Sequence, residues 1–179
     1  PWCCAAACLA MILNRRDIRH ASQEKLGWYM GLVVPKEAEK LFNKVRTTDE
    51  EPEAGYGTQL SKEEFSINHY FSENDIELEE TYYPPKKINN YEEFIQERFN
   101  EEKDIIVVYR YEKLFDDGSE GGHACLIKKV EDGKVTLIDP GYTCKSVYRE
   151  VDLSDLKEAI NYHGKENRGG FWVISKKKT

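Results

Sequence analysis

The chain contains no apolar run approaching the roughly 18 residues of a membrane span. Its least charged stretch, residues 2–13, is too short for one. No basic segment precedes that stretch, so it does not read as a secretory signal, although a secreted form already processed stays open. Positive charge is in deficit. Against 33 acidic residues stand 26 Lys and Arg, a net charge of −7, which disfavours nucleic acid or an anionic membrane as the main partner. There is no C-x-x-C pair and no cysteine–histidine cluster, so zinc is not expected, even though Cys4 and Cys8 share a helix face. Five cysteines, an odd number, do not make a disulfide framework, and a reducing, cytoplasmic setting is the expectation. Internal repeats are lacking, as is low complexity outside the tail Lys176-Lys177-Lys178.

What is present is sulfur on a helix. Cys3, Cys4 and Cys8 fall in the run Trp2-Cys3-Cys4-Ala5-Ala6-Ala7-Cys8-Leu9-Ala10-Met11-Ile12-Leu13, which favours a helix and is apolar on every side. Such a helix has to be buried in the middle of a domain. A thiol in its first turn meets unpaired backbone N–H groups and the positive end of the helix dipole, both of which favour thiolate. Asn14-Arg15-Arg16-Asp17 ends the run.

The remaining pattern is helices first and strands second. Ser22 opens a helix that Gly31 ends, and Pro35 suits the first turn of another over Lys36 to Val45. Thr47 to Gly57 reads as an acidic surface loop. Ser61-Lys62-Glu63-Glu64 has the form of a capping box ahead of a helix burying Phe65, Ile67, Tyr70 and Phe71. Asp75 to Glu80 alternates as a strand does, and Asn90 caps a helix from Tyr91 to Phe99. Strands are predicted over Asp104–Tyr111, Ala124–Val130, Lys134–Ile138 and Phe171–Ile174, with Gly118, Gly121 and Gly122 punctuating the first connection and a helix over Asp155–Tyr162 before the last strand. The 179 residues fit one α+β domain, an N-terminal helix packed on a C-terminal antiparallel sheet.

A reactive thiolate needs an imidazole to share its proton and a third group to hold the imidazole. His20, His69 and His163 each have a solvent or helix-capping explanation. His123 follows Gly121-Gly122 and opens the apolar run Ala124-Cys125-Leu126-Ile127, where the glycines leave space beside the ring. The candidate orienting acid is Asp139, although an acid before Pro140 also serves as a turn former. Register decides whether the two can meet. A two-residue turn at Asp132-Gly133 places Asp139 opposite Leu126, on the face away from His123. A three-residue loop places it opposite Cys125, with His123 a diagonal neighbour about 7–8 Å away at Cα. The three-residue loop is therefore predicted.

The segment Cys4-Ala5-Ala6-Ala7-Cys8-Leu9-Ala10-Met11-Ile12-Leu13, then Gly122-His123 before an apolar strand, then Asp139-Pro140, resembles the bacteriocin-processing double-glycine leader peptidases of the papain-like superfamily. A related guanylyl-cyclase-domain-like group has similar flanking sequence, but no metal or purine-nucleotide site is visible. The resemblance implies a papain-like fold and a cysteine peptidase acting on peptide or protein through Cys4, His123 and Asp139, with no cofactor and no metal. It also implies a glutamine about six residues before the nucleophile that helps hold the oxyanion, a position upstream of Pro1. Alignment through Met11 selects Cys4 as nucleophile, whereas the Trp-Cys-x-Ala-Ala pattern of other papain-like enzymes selects Cys3. An acyltransferase or amidase using the same residues, a non-catalytic binding module of the same fold, and a redox switch among Cys3, Cys4 and Cys8 are the alternatives. Cys4 should alkylate faster than Cys125 or Cys144 if it is the activated thiol.

Overall fold

The computed structural model describes residues 2–117, 119–141 and 146–178; Gly118 and Cys144 lie outside the described residues. Helix α1 (Cys4–Arg15) starts two residues inside the predicted run, with Cys3 as its cap, and continues two residues beyond Leu13. It buries Ala5, Ala6, Cys8, Leu9, Ala10, Ile12 and Leu13, as an apolar helix of strong helix formers must. Its far end is pinned electrostatically. Arg15 and Arg16 both bond the carboxylate of Asp104, Arg16 through Nε at 2.7 Å.

Helix α2 (Gln23–Tyr29) is capped as expected by Ser22, whose Oγ accepts the Lys25 N–H at 3.3 Å. The helix predicted over Lys36 to Val45 is instead a short 3-10 turn, Lys36–Leu41, between strands β1 (Val33–Pro35) and β2 (Arg46–Thr48). These β-branched segments pair in parallel, and the Glu24 carboxylate accepts the Asn43 backbone N–H and side-chain amide at 3.1 Å each. Helix α3 (Ile67–Glu73) also starts later than its sequence suggests. Ser66 captures the N–H groups of Asn68 and His69 and takes the capping role predicted for Ser61. Strand β3 (Leu78–Tyr83) is displaced toward the C-terminus because Asp75 is left-handed (φ 51°) and the Ile76 N–H returns to the Phe71 carbonyl at 2.9 Å.

The second half follows expectation closely: α4 (Tyr91–Asn100), β4 (Asp104–Arg110), β5 (Gly122–Glu131), β6 (Lys134–Ile138), α5 (Leu153–His163) and β8 (Gly170–Lys176). Strand β7 (Tyr148–Asp152) was not predicted. The six-stranded antiparallel sheet has the order β3-β8-β4-β5-β6-β7. Helix α1 covers one face, against Ile106, Val108, Ala124, Leu126 and Trp172. Helices α4 and α5 cover the other, against Ile105, Val107, Cys125, Ile127 and Phe171. Burial on both faces explains why β4 is apolar almost throughout. No helix among the described residues is long and apolar enough to cross a membrane.

Asp104 is 7% exposed and is the point where the end of α1 meets the start of β4. Replacing it with Ala leaves Arg16 without its carboxylate and is expected to cost about 2 kcal/mol. A lower urea midpoint with an unchanged slope would bear this out, and an unchanged midpoint would contradict it.

Candidate active site

The β5–β6 hairpin sets the site, and it does so by a route other than the predicted one. Asp132 (φ 52°) and Gly133 (φ 74°) form a two-residue turn, with Glu131 paired to Lys134, so the three-residue loop is not formed. Alone, that turn would direct Asp139 to the wrong face. A bulge between Ile127 and Lys129 adds one residue to β5, and the pairing continues as Ile127↔Leu137 and Leu126↔Ile138. Asp139, one residue on, thus falls opposite Cys125 and shares a face with His123. The sequence carries the bulge as Lys128-Lys129, two successive exposed residues that break the alternation of β5.

His123 Nε2 lies 2.7 Å from Asp139 Oδ1. That oxygen also accepts the Gly141 N–H at 2.8 Å, and Oδ2 accepts from Arg149 Nη1 at 3.2 Å. Asp139 is 2% exposed. Burial alone would raise its carboxyl, but the His123 bond and charge, the Gly141 N–H and the Arg149 guanidinium together hold it below the ordinary carboxylate range. The rings of Tyr109 and Tyr111 meet the imidazole nearly edge-on, at 5.8 and 5.0 Å between centroids. Burial tends to lower the His123 pKa, yet bonds to Asp139, Cys125 and Cys4 carry it well above its ordinary value.

Cys4 occupies the first turn of α1, where its thiol interacts with the His123 ring. Burial acts to raise its thiol. The His123 hydrogen bond and charge, with the backbone N–H groups of Ala124 and Ala5, outweigh that and leave it below the ordinary thiol range. Cys3 behaves in the opposite way. It packs with Trp2 against Leu32, Val34 and Ala38, and burial pushes its thiol up to about 11. Cys8, one turn further on, is fully buried with its Sγ 3.5 Å from the Ala124 carbonyl, and burial raises it well above the ordinary value. The three predicted residues therefore converge on one imidazole.

Several neighbours were not foreseen. Arg149 belongs to the missed strand β7, which alternates exposed Tyr148, Glu150 and Asp152 with half-buried Arg149 and Val151, an alternation its charged sequence barely carries. Cys125 lies beside His123 and bonds the Tyr109 hydroxyl at 3.2 Å. His163 is not a solvent-facing cap: it is 8% exposed and packs under Gly122. A Cβ at Gly122 would stand 2.6 Å from His163 Cε1, so glycine is required there for room rather than flexibility.

His123, Cys125 and Asp139 bring one ligand atom each within 4.8 Å of one another, a donor set that suits a thiophilic ion such as Zn²⁺. Binding one would have to displace the proton shared at 2.7 Å and set a second cation beside Arg149. The same atoms already form a coupled acid–base pair. A cavity of about 680 Å³ opens elsewhere, lined in part by Trp28, Lys44, Arg46 and Phe65, and includes none of the three converging residues.

The fold is shared with a solved protein from Bacillus anthracis described as a "putative C39-like peptidase". The two superpose with a TM-score of 0.57 over 99% of this chain and 90% of that one, at 12% identity. This chain thus shares the α+β fold of that protein. No protein-family model matches it, and no curated protein does.

Two outcomes follow from the geometry. Cys4 should alkylate with iodoacetamide at pH 6–7, where free cysteine (pKa about 8.5) is mostly thiol, while Cys3 stays inert; peptide mass mapping reads both. Equal labelling of Cys3 and Cys4 would contradict the assignment of their environments. Gly122→Ala should lower stability by about 1–3 kcal/mol through overpacking, and His163→Ala in the same chain should recover part of the loss in thermal unfolding.

Proposed function

We propose that this chain is a cysteine hydrolase that cleaves a peptide or amide bond through a thioester on Cys4. The observation that supports it most is the His123 ring, bonded to Asp139 through Nε2 at 2.7 Å and acting electrostatically on the Cys4 thiol. In this reading the Cys4 thiolate attacks the substrate carbonyl carbon. The resulting oxyanion is held by the Cys4 backbone N–H at the start of α1. Imidazolium His123 gives its proton to the leaving amine as the carbon–nitrogen bond breaks, which leaves a thioester and a neutral ring. His123 next takes a proton from water, whose oxygen attacks the thioester. The acid departs and the thiolate–imidazolium pair returns. Asp139 stays ionised throughout and fixes the ring's orientation and tautomer.

The substrate in this reading is a peptide, and removal of a leader peptide is the activity suggested by the resemblance of the Cys4 helix and of the His123 and Asp139 segments. Transfer of the acyl group to an amine instead of water uses the same residues and differs only in the second nucleophile.

Incubation of the protein with a peptide library, followed by acid quenching and intact-mass measurement, tests the proposal. New peptide termini should appear, with a transient acyl mass on Cys4. Cys4→Ala should abolish both, and His123→Ala should slow turnover on the order of 10²–10⁴-fold. Cleavage that survives Cys4→Ala would contradict the proposal, as would peptide that is retained but never cleaved, the behaviour of a binding module.

A further inference from the structure

Arg149 sits where an ordinary structural ion pair would not need to be. It reaches from the edge strand β7 to the side of Asp139 that His123 leaves open, and its Nη1 donates to Asp139 Oδ2 at 3.2 Å and to the Tyr111 hydroxyl at 2.7 Å. A guanidinium Nη carries two hydrogens, so both are used. Tyr111 passes its own hydrogen to Asp117 Oδ2 at 2.6 Å and presents its ring to His123 at 5.0 Å between centroids. The guanidinium carbon lies 3.2 Å from the centre of the Phe115 ring, a stack that holds the plane of the fork. One side chain therefore touches both groups that bracket the imidazole, the carboxylate at its Nε2 and the aromatic ring at its side.

We propose that Arg149 is a positioning residue for the Cys4–His123–Asp139 chemistry, orienting the Asp139 carboxylate and keeping it ionised. This rests on the reading of Cys4 as the nucleophile given above. The charge balance supports it. Thiolate, imidazolium, carboxylate and guanidinium sum to zero in a partly buried site, whereas loss of the guanidinium leaves a net negative charge there. Among the described residues, the groups that act on the carboxylate are His123 and Cys125 on β5, Tyr109 on β4, Cys8 on α1, the Gly141 N–H and Arg149. Asp117 bears on it through Tyr111, which Arg149 bonds. Of these described groups, His123 and Arg149 supply the positive charge.

The sign follows from the carboxylate. Its pKa is held low in the folded protein, so the ordered pair persists as pH falls and is lost when Asp139 protonates. Without the guanidinium that protonation comes at higher pH. The imidazolium then loses its anchor, and Cys4 its thiolate.

The experiment is the pH dependence of Cys4 alkylation by iodoacetamide in the full chain, read by peptide mass mapping for the wild type, Arg149→Met, Arg149→Lys and Asp139→Asn. For Arg149→Met the acid limb should move up by about one pH unit, with roughly tenfold slower labelling on that limb. Arg149→Lys keeps the charge but not the planar stack and should fall between the wild type and Asp139→Asn. That variant carries the test if the Met variant does not fold. If both Arg149 profiles superpose on the wild type while Asp139→Asn shifts, the role of Arg149 is overturned and the hydrolase reading stands. Wild-type Cys4 labelling no faster than Cys3 would overturn both.

Discussion

The hydrogen bond between His123 Nε2 and Asp139 Oδ1 is the constraint on which the site depends. With Nε2 committed to a buried carboxylate, the ring is fixed where it acts on the Cys4 thiol at the start of α1. The bond also sets the charge states. It favours the ionised form of Asp139 against the effect of burial and raises the imidazole, whose hydrogen bond and charge in turn lower the neighbouring thiol. Each shift runs against the effect of burial alone, so each requires its partner.

Making that bond is a problem of strand register. A two-residue turn at Asp132-Gly133 suits the twist of a hairpin, but it sets Asp139 on the face covered by α1. The bulge at Lys128 reverses the facing of β5 beyond it, so that Val130 and Ile127, three positions apart, both face α4 and α5. The fold thereby keeps its favoured turn and still aligns carboxylate with imidazole. Gly122 adds a second spatial condition, because the His163 ring fills the volume that a side chain there would need.

The sequence made legible whatever rests on local chemistry or strong periodicity. Helix α1 and the apolar strands β4 and β5 followed from composition and pattern, and His123 and Asp139 stood out by local context, whereas the choice of Cys4 over Cys3 came from the family resemblance. What it concealed depends on competition between local options. Ser66 won the cap from Ser61, the β-branched residues of β1 and β2 drew out a predicted helix, and a bulge did the work expected of a longer loop. Arg149 was missed for a related reason. It lies on a short edge strand rich in charge, where alternation is weak and only the folded sheet shows which residue turns inward.

The central claim, a Cys4 thiolate stabilised by His123, is tested most directly by titrating the ultraviolet absorbance of thiolate in the wild type and in Cys4→Ala. The account predicts a thiolate signal that persists well below the ordinary thiol pKa of about 8.5 and is missing from Cys4→Ala. Identical titrations in the two proteins would contradict it.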